Sequence, residues 1–488
     1  MKKPAGNSIF INILHLLYST VLSSVLNAGA LILLASYLQS SNYGMFSVAL
    51  AFAMIMAYFT DAGLSQIVLR EGSKDRANIS IVMSSYIKIR LLLLAATFLL
   101  GFTIIHVMHA GDIELLKASY YLIIPFVIGV SMQSIATTYF QLAEKMQYTG
   151  IIRIVSSVLL VLSITLGMLF KWHPFLVYMS YGGAYMLAGL LGVFLVLKHT
   201  TIPIRAPFHR GLFNQLWSFT IAGLLFVILP QLGPILLERT VSLADVGLFA
   251  VAFRIPQALQ QLPFIVAGAF YPVLFRYFNN NQVKDHESLN MIEIKVMGLI
   301  GMSMTVPLYY FATPIITLLF GAEWSESAHL LKIISIGLFL QGMTIAMADG
   351  LTTKALQLKR MMVQSLAVVS AIFLYWSLSQ MNGLTGAAFA CILIEVIALL
   401  GFLVIAPNRL FLGRKLLPYI STLLGGLLLS DWLLGNISLL ATVVQYMLIG
   451  AYILIDKQLN RSILHFISRK RKEKGLRVRG ARRVEDGL

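Results

Sequence analysis

The stretch VGLFAVAFRIPQALQQLPFIVAGAF (residues 246–270) carries a single charged side chain, Arg254. As a helix rising about 1.5 Å per residue, it is long enough to cross a hydrocarbon layer of about 30 Å. Arginine keeps its proton under any ordinary condition. A charge at membrane depth faces a bundle interior or a watery cavity rather than lipid. The stretch therefore reads as one helix of a larger membrane bundle, and the rest of the chain agrees. Of 488 residues, 58% are hydrophobic and only 12% charged, against roughly 45–50% and about 25% in a soluble domain.

Similar apolar runs recur from end to end. They predict fourteen spans, near 9–38, 43–68, 79–108, 117–141, 150–170, 174–197, 212–237, 246–275, 291–319, 329–353, 362–380, 384–407, 416–434 and 437–455. A spanning barrel would instead show alternating segments of about ten residues. The expected fold class is an all-α polytopic membrane protein. Lys2 and Lys3 precede the first run, but that run exceeds the roughly 7–15 apolar residues of a signal peptide and is read as a span. Cys391 is the only cysteine and permits no internal disulfide.

Charge sets the expected orientation. The loops after even-numbered spans hold most of the loop Lys and Arg, among them Arg76, Lys145, Arg205, Lys284, Lys359 and Arg414. The loops after odd-numbered spans hold Lys171 and Arg239, with Lys117 at one rim. Positive loops stay in the cytoplasm, so both termini and every even loop are expected inside. Trp172, Trp324 and Trp432 fall in or beside outer loops, where an aromatic belt is expected. The net charge of +17 then follows from topology, together with attraction of the basic tail (469–483) to anionic lipid. No aromatic residues interleave the tail's charges for base stacking, so no nucleic-acid partner is expected.

The outer loops are short and offer no room for a catalytic site. The sequence holds no Walker A, HExxH or GxSxG motif and no His/Cys set at metal-ligand spacing. No catalytic residue, metal or cofactor is expected, and a transporter without its own ATPase is the default.

The chain also repeats itself. YGMFSVA (43–49) resembles VGLFAVA (246–252), with Gly44 on Gly247 and Phe46 on Phe249. ELLKASYYLI (114–123) resembles HLLKIISIGL (329–338), with Lys117 on Lys332. Spans 1–6 thus repeat as spans 7–12 in the same orientation. This predicts two lobes, 9–197 and 212–407, related by an axis along the membrane normal. A cytoplasmic linker (198–211) joins them, helices 13–14 follow at 416–455, and a basic tail at 456–488 closes the chain.

YGMFSVALAFAMIMAYFTDAGLSQIVLRE (43–71) resembles the second helix of Wzx-type polysaccharide repeat-unit (O-antigen) flippases. LLFGAEWSESAHLLKIISIGLFLQG (318–342) is similar to their ninth-to-tenth-helix loop. These flippases belong to the multidrug/oligosaccharidyl-lipid/polysaccharide exporter superfamily. The resemblance implies export of an undecaprenyl-diphosphate-linked oligosaccharide, alongside a polysaccharide polymerase and chain-length machinery. A multidrug or small-cation antiporter of the same superfamily is one alternative; it would favour a carboxylate-dominated cavity. A membrane enzyme of polysaccharide assembly, or a scaffold whose tail recruits partners, are the others.

Within that framework the candidate substrate ligands are Arg254 with Gln257 and Gln261, at i+3 and i+7 on one helix face. Arg254 either grips a diphosphate bidentately or pairs with an intramembrane carboxylate such as Glu395. Helix 1 adds a polar stripe of Asn12, His15, Ser19, Ser23 and Asn27 at steps of three and four. The stripe either solvates a sugar head or hydrogen-bonds neighbouring helices. Gln231, Pro234 and Glu238 follow the same spacing on helix 7, which Pro230 and Pro234 should kink. Asp61, Arg70, Lys117, Lys332 and Glu395 are candidates for gating or ion coupling, with Asp349 near an inner helix end.

Overall fold

The computed structural model describes residues 6–74, 78–203, 206–213, 216–406, 409–434, 437–456 and 458–460. Among the described residues there is no strand. The helices are α1 (Gly6–Phe59), α2 (Leu64–Gly72), α3 (Ile79–Met108), α4 (Ile113–Leu142), α5 (Met146–Leu169), α6 (Pro174–His199), α7 (Leu216–Ile228), α8 (Leu232–Leu237), α9 (Leu243–Leu259), α10 (Gln261–Asn279), α11 (Val283–Tyr310), α12 (Ala312–Phe320), α13 (Ser327–Thr353), α14 (Gln357–Ile405), α15 (Arg409–Leu434) and α16 (Ser438–Ile455). Eleven helical runs among the described residues are long and apolar enough to cross a membrane. The chain is a multi-pass membrane protein.

Several expected spans are divided differently in the structure. Spans 11 and 12 form one run, α14, of 49 residues, roughly 70 Å if straight and far beyond one crossing. It is broken at Asn382 and Gly383, where Gly383 has φ 56, a conformation that glycine adopts without steric cost. The Tyr375 hydroxyl lies 3.1 Å from Cys391 Sγ, so the run folds back on itself as a hairpin. Spans 1 and 2 likewise join in α1, interrupted at Gln39 with φ 61 rather than by a loop. Span 2 does not run on to residue 68: the helix stops at Phe59, turns through Ala62 and Gly63 at positive φ, and restarts as α2. Span 7 is interrupted at Pro230 by a 3₁₀ turn, Leu229–Gln231, because proline removes a backbone donor and clashes with the preceding turn. Span 8 remains one run, Leu243–Asn279, in which Gln260 keeps helical backbone angles between α9 and α10.

Packing groups the chain into two compact units. The first comprises Met1–Ala258, Thr313–Leu331 and Gln364–Ile394. In it α4 and α6 pack so closely that a Cβ on Gly129 would sit 2.3 Å from the Met186 amide nitrogen, the close approach that small residues permit between membrane helices. The segment after α6 is strapped onto α2 and α3. Ser84 Oγ donates to Pro203 O at 2.7 Å, Lys88 Nζ to Ala206 O at 2.9 Å, and the His209 amide to Ser85 Oγ at 2.9 Å. Leu212 is buried in a core with Ile67, Val82, Tyr86 and Phe140.

The second unit comprises Leu259–Ala312, Lys332–Val363 and Glu395–Leu488. Here α11 packs against α10 and α16, and α15 against α16. The Tyr446 hydroxyl donates to Ser303 O at 2.9 Å. Lys295, fully buried, donates to Asp456 Oδ1 and Gln458 Oε1, each at 2.9 Å, and fixes the end of α16 to α11.

The expected aromatic belt fails at Trp324. It is 1% exposed and packs edge-on to Tyr43 at 5.7 Å between centroids, whereas Trp432 is 81% exposed. The loop that carries Trp324 folds into the first unit instead of meeting the membrane interface.

Candidate functional site

Two glycines matched by the sequence repeat meet in space. A Cβ on Gly44 would lie 1.8 Å from Leu243 O, and one on Gly247 would lie 2.1 Å from Ser40 O. The second arm of α1 and the start of α9 therefore cross backbone to backbone, which only glycine allows at both positions. The crossing fixes α9, and α9 carries Arg254.

Arg254 is partly buried. Its Nη1 donates to Gln257 Oε1 at 2.9 Å, while Nε has no partner among the described residues. No carboxylate of its own unit pairs with it among the described residues. Its field reaches the hydroxyls of Tyr43, Tyr181 and Tyr185. The Tyr43 hydroxyl is buried without a hydrogen-bond partner among the described residues. The Tyr181 and Tyr185 rings lie tilted to each other at 5.8 Å, with Phe46 against Tyr181 and Phe126 against Tyr185. Guanidinium, amide and phenol groups can all donate, and the guanidinium cannot accept. The arrangement suits an anion with several oxygens.

The other expected ligands are distributed as follows. Gln257 lies against Arg254. Gln261 opens α10 and belongs to the second unit; Gln260 before it keeps helical backbone angles (φ −57, ψ −20). His15 is half-buried, 3.4 Å from the Tyr18 hydroxyl. Ser19 is fully buried and donates to Leu16 O. Ser19 faces α5, where a Cβ on Gly150 would lie 3.2 Å from it. Ser23 Oγ and Asn27 Oδ1 are buried without partners among the described residues. The side chain of Asn12 lies outside the described residues.

Among the gating candidates, Asp61 pairs with Arg90 at 2.5 Å and not with Arg70, which pairs with Glu71 at 3.3 Å. Lys332 meets Asp431 at 3.1 Å and lies over the Tyr309 ring at 4.3 Å. Lys117, its repeat counterpart, is exposed. Glu395 accepts from Thr344 at 3.3 Å.

Sequence reasoning missed Arg90. It is 1% exposed and donates to Asp61, Tyr86, Ser131 and Ser134. Its position inside an apolar run was the available signal. Glu293 and Lys295 in α11 were missed for the same reason. His109, buried against Glu238 at 2.7 Å, carried no such signal, because both residues fall at span ends. Among the described residues no group of three or more His, Cys, Asp or Glu is placed to hold a metal ion.

Residues 9–278 match the family described as polysaccharide biosynthesis protein. The chain belongs to that family. No curated protein matches the sequence. Among solved structures, the lipid II flippase MurJ in an inward closed conformation superposes with a TM-score of 0.67 at 16% identity, covering 91% of this chain and 99% of that one. An inward-facing multidrug resistance MATE family transporter of the MOP superfamily gives 0.68 at 15% identity, covering 80% and 95%. The family member described here therefore has the fold of the MOP exporters, and the proteins it superposes on are transporters.

Proposed function

We propose that the protein is a flippase that moves an undecaprenyl-diphosphate-linked oligosaccharide, such as an O-antigen or capsule repeat unit, from the cytoplasmic to the outer leaflet of a bacterial plasma membrane. The observation that carries this reading is the donor set around Arg254: a guanidinium, an amide and three tyrosine hydroxyls, with no partner for Nε and no carboxylate paired to the guanidinium among the described residues of its unit. A cation or drug antiporter would place acceptors there. The two lobes, 9–197 and 212–407, alternate access to the head group, and both termini lie in the cytoplasm. Arg254, Gln257 and the stripe His15, Ser19, Ser23 and Asn27 line the path of the head. The polyprenyl tail stays in lipid beside helices 13 and 14. No bond is made or broken. For a head with about two negative charges, an inside-negative potential of 100 mV favours export by roughly 4–5 kcal/mol.

The test is deletion of the gene with fractionation of the lipid-linked oligosaccharide by leaflet. Accumulation on the cytoplasmic side, reversed by the wild-type chain, is the expected result. Undiminished export in the deletion strain rejects the reading, and resistance to cationic drugs that follows the gene instead favours the antiporter.

A further inference from the structure

The second unit contains a cavity that the path of the cargo does not use. Its volume is about 370 Å³, within the range of roughly 300–1,000 Å³ of small-ligand pockets. Its walls come from α11, α13, the closing turns of α14 and the opening turns of α15, all in the same unit.

The lining changes with depth. Glu287 and Ser288 stand in the first turns of α11, Lys354 just past the end of α13, and Lys415 in the second turn of α15. Ile294 lies seven residues along α11 from Glu287, and Met347 seven residues back along α13 from Lys354. At about 1.5 Å per residue, each is roughly 10 Å deeper. Two helices running in opposite directions thus give the same gradient, charged at the rim and apolar at the floor. A water-soluble ligand would leave the floor unmatched, whereas a polar head on an acyl chain matches both levels.

The mouth opens beside lipid. Leu356 and Phe411 line the cavity, and their neighbours along the chain, Leu358, Met362 and Leu410, are exposed. Large apolar side chains left open at helix starts of a membrane protein meet acyl chains. This end of the unit also gathers Lys284, Lys359, Arg409 and Arg414, and loop charge assigns it to the cytoplasm.

The rim's charge selects the head group. Glu287 is the one carboxylate lining the cavity among the described residues, and it already accepts from Lys354 Nζ at 2.9 Å. Lys415 lies 5.6 Å from the centroid of the Phe411 ring and pairs with no carboxylate among the described residues. Two ammonium groups against one carboxylate leave the rim with one positive charge and no carboxylate for a zwitterionic head. A phosphate without its own cation fits, and the Ser288 hydroxyl is a further donor at the same level.

We propose that this cavity holds one anionic phospholipid of the inner leaflet, with an acyl chain between α11 and α13 and its phosphate at Lys415. The lipid is a resident of the protein and not its cargo, and it ties the start of α15 to the bundle. The site does not rest on the flippase reading.

The experiment is native mass spectrometry of the full-length protein with added phosphatidylglycerol, alongside thermal unfolding in detergent. Wild-type protein should retain one phosphatidylglycerol in preference to phosphatidylcholine, and its melting temperature should rise with that lipid. Lys415→Gln, at an exposed position, should unfold like wild type without lipid and bind phosphatidylglycerol about fivefold more weakly, the share of one lysine at an anionic lipid surface. Lys198→Gln, exposed near the same expected membrane face but beside no such cavity, should bind as wild type does. Equal retention of phosphatidylcholine, or unchanged binding in Lys415→Gln, overturns the proposal. So does an equal rise in melting temperature with inorganic phosphate, which would make this a site for a free anion. Displacement of the phosphatidylglycerol by a lower concentration of polyprenyl diphosphate also overturns it, because the cavity would then be a station for cargo. A chain that proves not to export oligosaccharide would leave the lipid measurements standing.

Discussion

Arg254 and Arg90 are both guanidinium groups within apolar helices, and their surroundings assign them different work. Arg90 is sealed among Asp61, Tyr86, Ser131 and Ser134 and holds the turn between α1 and α2 in place. Removing one partner of a buried ion pair leaves the other charge uncompensated, at about 3–5 kcal/mol. Arg90→Ala should therefore lower the melting temperature of the solubilised protein markedly. Arg90→Met combined with Asp61→Asn should recover part of that loss. Equal stability of Arg90→Ala and wild type would show that the pair contributes nothing. Arg254 donates to Gln257 and lies near the Tyr43 hydroxyl, and its Nε has no hydrogen-bond partner among the described residues. Arg254→Ala should leave protein level intact and reduce surface polysaccharide by about 10- to 100-fold, the loss of one hydrogen bond to a charged group at about 1.5–3 kcal/mol. Arg254→Lys should keep part of the activity, since the charge survives but the planar fork does not. Normal export by Arg254→Ala would remove this residue from the cargo path. The sequence alone exposed Arg254 because its neighbours along the chain are apolar. It did not expose which groups approach from other helices, so the Tyr43, Tyr181 and Tyr185 hydroxyls and the whole Arg90 network were invisible to it.

Helices were legible where apolar runs are long, and their joints were not. A run ends in the same way on paper whether a loop follows or a single residue turns left-handed, as at Gln39 and Gly383. The spans at α1 and α14 were therefore found, but their continuity was missed. The Gly44–Gly247 pairing was visible as a repeat, and only the structure shows the two residues in contact. Gly44→Ala and Gly247→Ala would each drive a Cβ into a backbone carbonyl and should destabilise by more than the roughly 1–3 kcal/mol of ordinary overpacking. Gly29→Ala, with nothing within 4 Å, should be neutral. Thermal unfolding of the three variants distinguishes these outcomes, and a neutral Gly247→Ala would rule out the close crossing. The end of α16 supplies a pH test. Burial alone would raise the carboxyl of Asp456, but hydrogen bonds from Lys295, from the Leu459 amide and from Tyr419 outweigh it and hold it below the ordinary carboxylate range. A depressed carboxyl contributes its stability above the unfolded value, near 3.9, and loses it as pH falls through the folded one. Docking of the α16 end should thus be insensitive to pH around neutrality and weaken only in acid. Asp456→Asn should weaken it at neutral pH, seen as faster amide exchange in 456–460. Unchanged exchange in that variant would remove the Lys295 pair as the anchor.

At the scale of the whole molecule, identities of 15–16% accompany TM-scores of 0.67–0.68. The fold is therefore carried by the spacing of apolar runs and the small residues where helices cross, which many sequences satisfy. The charge outside the runs is as informative as the charge within them. Of the net +17, the loop share falls almost entirely after even-numbered spans, and the energetic reason is that Lys and Arg near span ends resist translocation. That asymmetry specifies an orientation with no reference to cargo, so it can be tested without any assay of transport. A reporter active only in the cytoplasm should be active when fused after Arg76, Lys145, Arg205, Lys284, Lys359, Arg414 or Arg471. It should be silent after Gly111 and Glu323. Each fusion reads the parity of all spans before it. The residue 39 and residue 383 joints make the test discriminating: if either bend left its run as a single crossing, every fusion beyond it would invert together. One inverted block would locate the miscounted joint.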